Sequence, residues 1–224
     1  RGAVKYAEYV SPGPDGEVEG AEARQVRARM VADLERLAAP AAGPTDGGGG
    51  LATSDDLTPG RWACARGLVL LHTTDRDPAR LDEARATLEE ALARDPLLEE
   101  AYEGLARALS RLGRPAEAIA ALGRGLERDR GYVPFWIGRG VLRRAAALAC
   151  GQRGEDPTEL YRDAVADFGK AIELEPDLAD TYEERASTRS NWSIFERSRG
   201  ESGQALQEAA LADLERALEL APGW

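Results

Sequence analysis

The sequence predicts an all-α fold, a right-handed superhelix of antiparallel helix pairs. The first observation is a block that recurs four times: alanine, a large apolar residue four positions on, and a small residue three positions after that. The second is that three of the four copies end on a proline, at the same distance from the alanine. Because a single helix pair cannot bury its apolar face alone, such self-similarity is typical of a stacked solenoid. The copies begin at Ala84, Ala118, Ala164 and Ala210.

Each block is predicted to be the second helix of a hairpin. The alanines lie where a neighbouring helix must approach closely, and the large residues fill the space between pairs. Those large residues are Leu88, Leu122, Phe168 and Leu214. Three of these helices begin with a proline that follows a polar residue. Proline is favoured there because the backbone N–H that it lacks would have no hydrogen-bond partner within the helix at the first position. The openings are Asp77-Pro78, Arg114-Pro115 and Asp156-Pro157.

The chain divides into three predicted parts. Residues 1-40 form an N-terminal segment with one amphipathic helix, and residues 41-60 form a flexible Gly-rich linker with four consecutive glycines at 47–50. Residues 61-224 form a domain of about four helical hairpins. Because the chain starts at Arg1 without a methionine and stops where a further repeat would begin, we expect a fragment of a longer protein.

The blocks resemble the tetratricopeptide repeat, whose unit of about 34 residues places an aromatic, a leucine and a small residue before the A-x3-F block and the proline. The match runs from Tyr102, Leu105 and Ala106 to Ala118 and Leu122. The resemblance covers about residues 60 to 224. Arginine replaces the leucine of the pattern at 139 and 185, which resembles a variant found in bacterial repeats.

The last two hairpins are predicted to be elongated. Trp136 and Tyr182 occupy the same place in successive units but lie 46 residues apart, about 12 more than the usual repeat. Helical spacing continues past the usual end of the first helix in both. Trp192, Ile194 and Phe195 on that extension either pack against Leu148 and Leu160 of the preceding pair or form an exposed apolar contact site.

Arg139 and Arg185 are expected to be buried, and a buried arginine needs a carboxylate partner. Structural ion pairs are favoured over a ligand-binding role. The candidate partners are Glu173, Glu175, Glu183 and Glu184.

Composition argues against several classes of protein. The net charge of -11 disfavours a nucleic-acid partner, because phosphate binding requires a basic surface. No apolar run reaches the roughly 18 residues that cross a bilayer, so no membrane partner is expected and the cytoplasm is the predicted location. Cys64 and Cys150 fall in alanine-rich helical stretches and are interpreted as inert core positions.

The sequence contains no recognisable catalytic set. It lacks nucleotide-binding, hydrolase and kinase motifs, and its carboxylates lie near arginines on solvated helix faces. His72, the single histidine, has no nearby metal-ligating partner. We therefore expect no enzyme activity, no cofactor and no metal site.

What the resemblance implies is a ligand groove lined by the first helix of each pair. The positions that this register selects form a wall with acid at its edge, an apolar middle and polar residues beyond. They are Glu100, Glu103, Arg107, Ser110, Arg111, Ile137, Val141, Arg144, Asp180, Glu183, Ser187 and Ser190.

The predicted function is a non-catalytic protein-protein interaction scaffold that binds a peptide or helical segment of a partner in this groove. The alternative is the regulatory or substrate-recruiting region of a larger enzyme, such as a bacterial serine/threonine kinase. A third hypothesis is self-association through the C-terminal repeat edge at Leu214, Leu218 and Trp224.

Overall fold

The computed structural model describes residues 58–74 and 77–222. The predicted N-terminal segment, most of the predicted linker and Trp224 lie outside this part of the chain. Within the described residues the secondary structure consists of eight helices. They are α1 (Pro59–Thr73), α2 (Pro78–Arg94), α3 (Glu99–Arg111), α4 (Pro115–Arg128), α5 (Val133–Gln152), α6 (Thr158–Leu174), α7 (Ala179–Ser198) and α8 (Gln204–Leu220).

The helices form four hairpins, α1/α2, α3/α4, α5/α6 and α7/α8. Each helix packs most extensively on its hairpin partner, and the second helix of each of the first three hairpins also packs on the first helix of the next hairpin. The first helices also contact one another, α1 with α3, α3 with α5 and α5 with α7. They therefore form one continuous wall, with the second helices behind it. The predicted fold class, a helical-repeat solenoid, is confirmed.

The helix starts follow from their capping residues. The side chain of Asp77 accepts a hydrogen bond from the backbone N–H of Ala79 at 3.0 Å, and Pro78 is the first residue of α2. α4 likewise begins at Pro115. α6 begins one residue later than predicted, because Asp156 caps Thr158 and Pro157 lies just outside the helix. α1 begins at Pro59, inside the range predicted as linker.

The repeated alanines lie where the register placed them. Ala84, Ala118 and Ala164 are fully buried, and Ala210 is nearly so. The large residues one turn on are buried in the first three hairpins, whereas Leu214 in α8 is 41% exposed. The difference arises because, in the described part of the chain, no hairpin follows α8.

Glycines let helices meet at two of these interfaces. A Cβ at Gly125 in α4 would lie 2.7 Å from Phe135 of the next hairpin, closer than side-chain atoms can approach. A Cβ at Gly140 would lie 2.9 Å from Phe168 of its own hairpin. The two phenylalanines are almost completely buried, so the missing side chains are part of the packing.

The first helices differ in length. α5 and α7 have 20 residues each, whereas α1 has 15 and α3 has 13. On the extension of α7, Trp192 stacks on Tyr161 of the preceding hairpin, with ring centroids 6.4 Å apart. Phe195 lies close to Gly151 of the same hairpin. Ile194, in contrast, is 62% exposed. Two of the three residues therefore contact the preceding hairpin, at Tyr161 and Gly151 and not at the Leu148 and Leu160 that the prediction named.

Candidate interaction surface

Arg139 and Arg185 make structural ion pairs, but with partners other than those predicted. Arg139 donates two hydrogen bonds to Asp167, from Nε at 3.0 Å and from Nη2 at 2.6 Å. Arg185 makes the same pair with Asp213, at 3.0 and 2.6 Å. The expectation of glutamate partners was wrong because Asp167 and Asp213 lie on the buried faces of the second helices, where the arginines point, whereas Glu173 is exposed on another face of α6.

A second arginine joins each pair. Arg143 donates to Asp167 at 2.6 Å, and Arg189 donates to Asp213. Both aspartates are buried, so each carboxylate depends on two guanidinium groups from the first helix. Burial lowers the pKa of Arg189. These clusters fix α5 on α6 and α7 on α8, and thereby fix the orientation of the wall.

Neighbouring helices of the wall are joined by polar contacts. Arg144 of α5 donates to Ser187 Oγ of α7 at 2.7 Å and pairs with Glu184 at 2.6 Å. Arg144 and Ser187 were both predicted groove residues, and the structure brings them together. Their polar groups are used within the protein, so both serve to hold two helices of the wall in register.

Glu103 is also used within the wall. It accepts a hydrogen bond from the phenol of Tyr132, immediately before α5, at 2.8 Å. Burial raises the pKa of Glu103, partly offset by this bond, and the charges of Glu100 and Glu99 raise it further. Glu103 was expected to be solvated, and it is partly buried instead because Tyr132 covers it.

Two predicted arginines reach the first hairpin. Arg111 donates to the backbone carbonyls of Leu71 and Thr74 at 2.8 and 3.2 Å, at the end of α1. Arg107 lies 3.4 Å from the Nε2 atom of His72. His72, near the end of α1, therefore lies at the contact between α1 and α3.

The predicted apolar positions in the middle of the wall differ in exposure. Ile137 is buried beneath its surface, and Val141 is partly exposed. Leu148 lies seven residues after Val141 on the same face of α5 and is 41% exposed. Ile194 lies seven residues after Ser187 on α7 and is also exposed. The groove register did not select Leu148 or Ile194, although the sequence named Ile194 as part of a possible exposed apolar contact site.

The remaining predicted positions lie at the surface of the wall. Glu100, Ser110 and Asp180 are exposed, and Glu183 and Ser190 are partly exposed. Glu100 and Asp180 belong to the first turns of α3 and α7, and Glu183 follows Asp180 by three residues. The acidic side chains therefore lie at one edge of the wall, and the exposed Leu148 and Ile194 lie toward the other.

The described residues also bear on metal binding, cysteine reactivity and membrane spanning. No group of three or more His, Cys, Asp or Glu side chains in residues 58–74 and 77–222 could hold a metal ion. Cys64 and Cys150 are free and buried, and burial raises the pKa of the Cys64 thiol to about 11. In the same part of the chain, the helices are all too short or too polar to cross a bilayer.

Comparison with known proteins supports the repeat assignment. Residues 77–135 match the model of the tetratricopeptide repeat family. No curated protein matches the chain.

Several solved structures share the fold. A crystal structure of MamA has a TM-score of 0.59 at 14% identity, over 90% of this chain and 86% of that one. MamA from Desulfovibrio magneticus RS-1 has a TM-score of 0.56 at 11% identity, over 91% and 97%. YrrB, described as a TPR protein with an unusual peptide-binding site, has a TM-score of 0.55 at 16% identity, over 90% and 81%. Residues 77–135 therefore match the tetratricopeptide repeat, and the helical-repeat fold of these solved structures extends from α1 to α8.

Proposed function

We propose that this protein is a non-catalytic interaction scaffold whose concave wall, formed by α3, α5 and α7, binds a peptide or helical segment of a partner protein. The observation that carries the proposal is the apolar stripe of α5. Val141 and Leu148 lie on the wall between two helices that carry exposed carboxylates in their first turns, Glu100 on α3 and Asp180 on α7. An exposed apolar strip with polar margins is typical of a binding surface.

The chemistry of the wall defines the partner. Leu148 and Ile194 supply apolar surface, and burying such surface yields about 25 cal/mol per Å². Glu100, Asp180 and Glu183 supply negative charge, which steers and orients a positively charged ligand. The segment that fits best carries one or two apolar side chains beside lysine or arginine.

The geometry favours a ligand that lies along α7. Asp180 and Ile194 are 14 residues apart on one face, a distance of about 21 Å at the helical rise. An extended peptide covers that distance in about six or seven residues. We expect the basic and apolar residues of the ligand at this separation, or about 14 residues apart if it is helical.

Rigidity of the wall supports the same function. The contacts from Arg144 to Ser187 and from Tyr132 to Glu103 connect successive first helices. A pre-organised surface binds without the cost of ordering its own side chains. The groups that remain exposed on this framework are those that would read the ligand.

The test is selection of peptides from a displayed random library, with the wild-type protein as bait. Peptides that combine basic and apolar residues should be enriched and should lose at least tenfold in affinity against the double variant Leu148→Glu, Ile194→Glu. The control is Leu174→Glu, at an exposed apolar site on α6 outside the wall. Failure to enrich any peptide would overturn the proposal. So would equal affinity of the selected peptides for the double variant and for the Leu174→Glu control.

A further inference from the structure

The last helix presents an apolar stripe on its outer side. Leu211, Leu214 and Leu218 recur at helical spacing on α8 and are 60, 41 and 58% exposed. A solenoid face that no further repeat covers is ordinarily polar, because an apolar face left uncovered associates with other surfaces. This stripe does not belong to the wall of first helices, since α8 is the second helix of its hairpin.

The preceding hairpins show what covers this position. Leu88 and Leu122 are the counterparts of Leu214, and both are buried. Each is covered by a glycine on the first helix of the next hairpin. A Cβ at Gly104 would lie 3.1 Å from Leu88, and a Cβ at Gly138 would lie 3.1 Å from Leu122. By analogy, the stripe on α8 fits the first helix of another hairpin, provided that this helix has a small residue where it crosses Leu214.

Charge narrows the identity of that helix. Exposed carboxylates flank the stripe at Glu208, Glu215 and Glu219, and Arg216, the single cation of α8, is paired with Glu219 at 2.8 Å. Asp213, the other carboxylate of α8, is buried and faces Arg185 and Arg189 of α7. Two α8 helices placed face to face would bring the exposed carboxylates together, which is unfavourable. A partner helix that has no acidic residues avoids this repulsion with the exposed carboxylates beside the stripe.

α1 of the same chain has these properties. It is a first helix, and its charged side chains are Arg61 and Arg66, with no aspartate or glutamate. Gly67 packs on Leu88 of its own hairpin, just as Gly140 packs on Phe168, so Gly67 and Gly140 occupy equivalent positions. Ala65 lies two residues before Gly67, and Gly138 lies two residues before Gly140. Ala65 is therefore the counterpart of Gly138. Ala65 and Arg61 lie one turn apart, and Ala65 is partly and Arg61 fully exposed.

We propose that α8 of one molecule receives α1 of a second copy, so that the solenoid continues from chain to chain. Ala65 of one copy covers Leu214 of the other. Consecutive helices run antiparallel, and Tyr102 near the start of α3 donates to the carbonyl of Pro96 just past the end of α2. The start of α1 therefore meets the end of α8, where Arg61 lies beside Glu215 and Glu219 of the other copy.

The two surfaces in this contact are different, so the contact is heterologous, and a dimer leaves one α1 surface and one α8 surface to bind further copies. Sedimentation velocity of the full chain should show species that grow from monomer to dimer and beyond as the concentration rises to about 500 μM. Added salt should weaken them, because the margin is electrostatic. A strict monomer over this range, or a dimer that does not grow further, would overturn the proposal.

Complementary variants test the pairing itself. Leu211→Glu, Leu218→Glu disables α8, and Arg61→Glu, Ala65→Glu disables α1. Each variant alone should remain monomeric, whereas an equimolar mixture should form dimers only, through the one intact pair. Circular dichroism melts establish that both variants are folded, and Leu174→Glu, at an exposed apolar site of α6 outside both surfaces, is the matched control that should associate like wild type. Association that persists in the α8 variant would contradict the assignment, and so would a mixture that stays monomeric.

Discussion

Arg139 of α5 binds the buried carboxylate of Asp167 of α6 through two hydrogen bonds of 3.0 and 2.6 Å. Arg143, one turn on, shares the same carboxylate. The fourth hairpin repeats this cluster, whereas the second hairpin has apolar side chains at the corresponding positions. The cluster joins α5 to α6 through hydrogen-bonded ion pairs in addition to apolar packing.

Removal of the shared carboxylate should be costly. Asp167→Ala leaves two guanidinium groups in a largely buried place without their common partner, and we expect a loss of about 3–5 kcal/mol in the free energy of unfolding. Urea denaturation measures it. The control is Asp163→Ala, because Asp163 pairs with Arg143 at 3.1 Å but is half exposed. Its loss should stay within about 1 kcal/mol, and equal losses in the two variants would contradict this account.

Replacement of the whole cluster should be far less harmful. The second hairpin has Leu105, Leu109 and Ala121 at the corresponding positions, and all three are buried. The triple variant Arg139→Leu, Arg143→Leu, Asp167→Ala should therefore lie within about 2 kcal/mol of wild type, since packed apolar residues often replace a buried ion pair without loss. Stability below that of Asp167→Ala would show that the arginines contribute through contacts other than the carboxylate.

Two glycines of α4 should respond oppositely to alanine. A Cβ at Gly125 would lie 2.7 Å from the buried ring of Phe135, and overpacking of this kind costs about 1–3 kcal/mol. A Cβ at Gly123 has only Arg139 within reach, at 3.8 Å, and alanine in a helix interior is better than glycine by up to about 1 kcal/mol. Thermal melts should show Gly125→Ala below wild type and Gly123→Ala at or above it. The reverse order would mean that the α4–α5 contact is placed wrongly.

The effect of replacing Glu103 on the stability of the fold should depend on pH. Its pKa is raised in the folded state, chiefly by burial, so its charged form destabilises the fold above that pKa. Glu103→Gln should therefore increase stability at neutral pH, and the gain should disappear as the pH falls below the ordinary value of 4.5. Melting temperatures of the two proteins between pH 4 and 8 test the sign. Glu127→Gln, at an exposed site on α4, is the control, and an equal gain from both would contradict the assignment to burial.

The sequence predicted the repeat register well, because that register depends on local patterns. Alanine spacing located Ala118 and Ala164 in the core, and proline openings located α2 and α4. The partners of Arg139 and Arg185 were not predictable in the same way. The choice between Asp167 and Glu173 depends on how two helices rotate about each other, and both residues lie on the same predicted helix.

The candidate site was predicted less completely for a related reason. The register selected surface positions, but it could not tell which of them the neighbouring helix would occupy. Glu103 is covered by Tyr132, and Arg144 is held by Ser187 and Glu184. Leu148 and Ile194 lie on helical extensions that the family pattern does not contain, so the pattern gave no reason to select them.

Hydrogen–deuterium exchange on a complex with a selected peptide tests the central claim most directly. Binding in the groove predicts that amides of α3, α5 and α7 gain protection, most strongly around Val141, Leu148 and Ile194, while α4 and α6 change little. Saturation of the complex is confirmed by titration before exchange. Protection confined to the second helices, or spread evenly over all eight helices, would contradict the assignment of the concave wall as the binding surface.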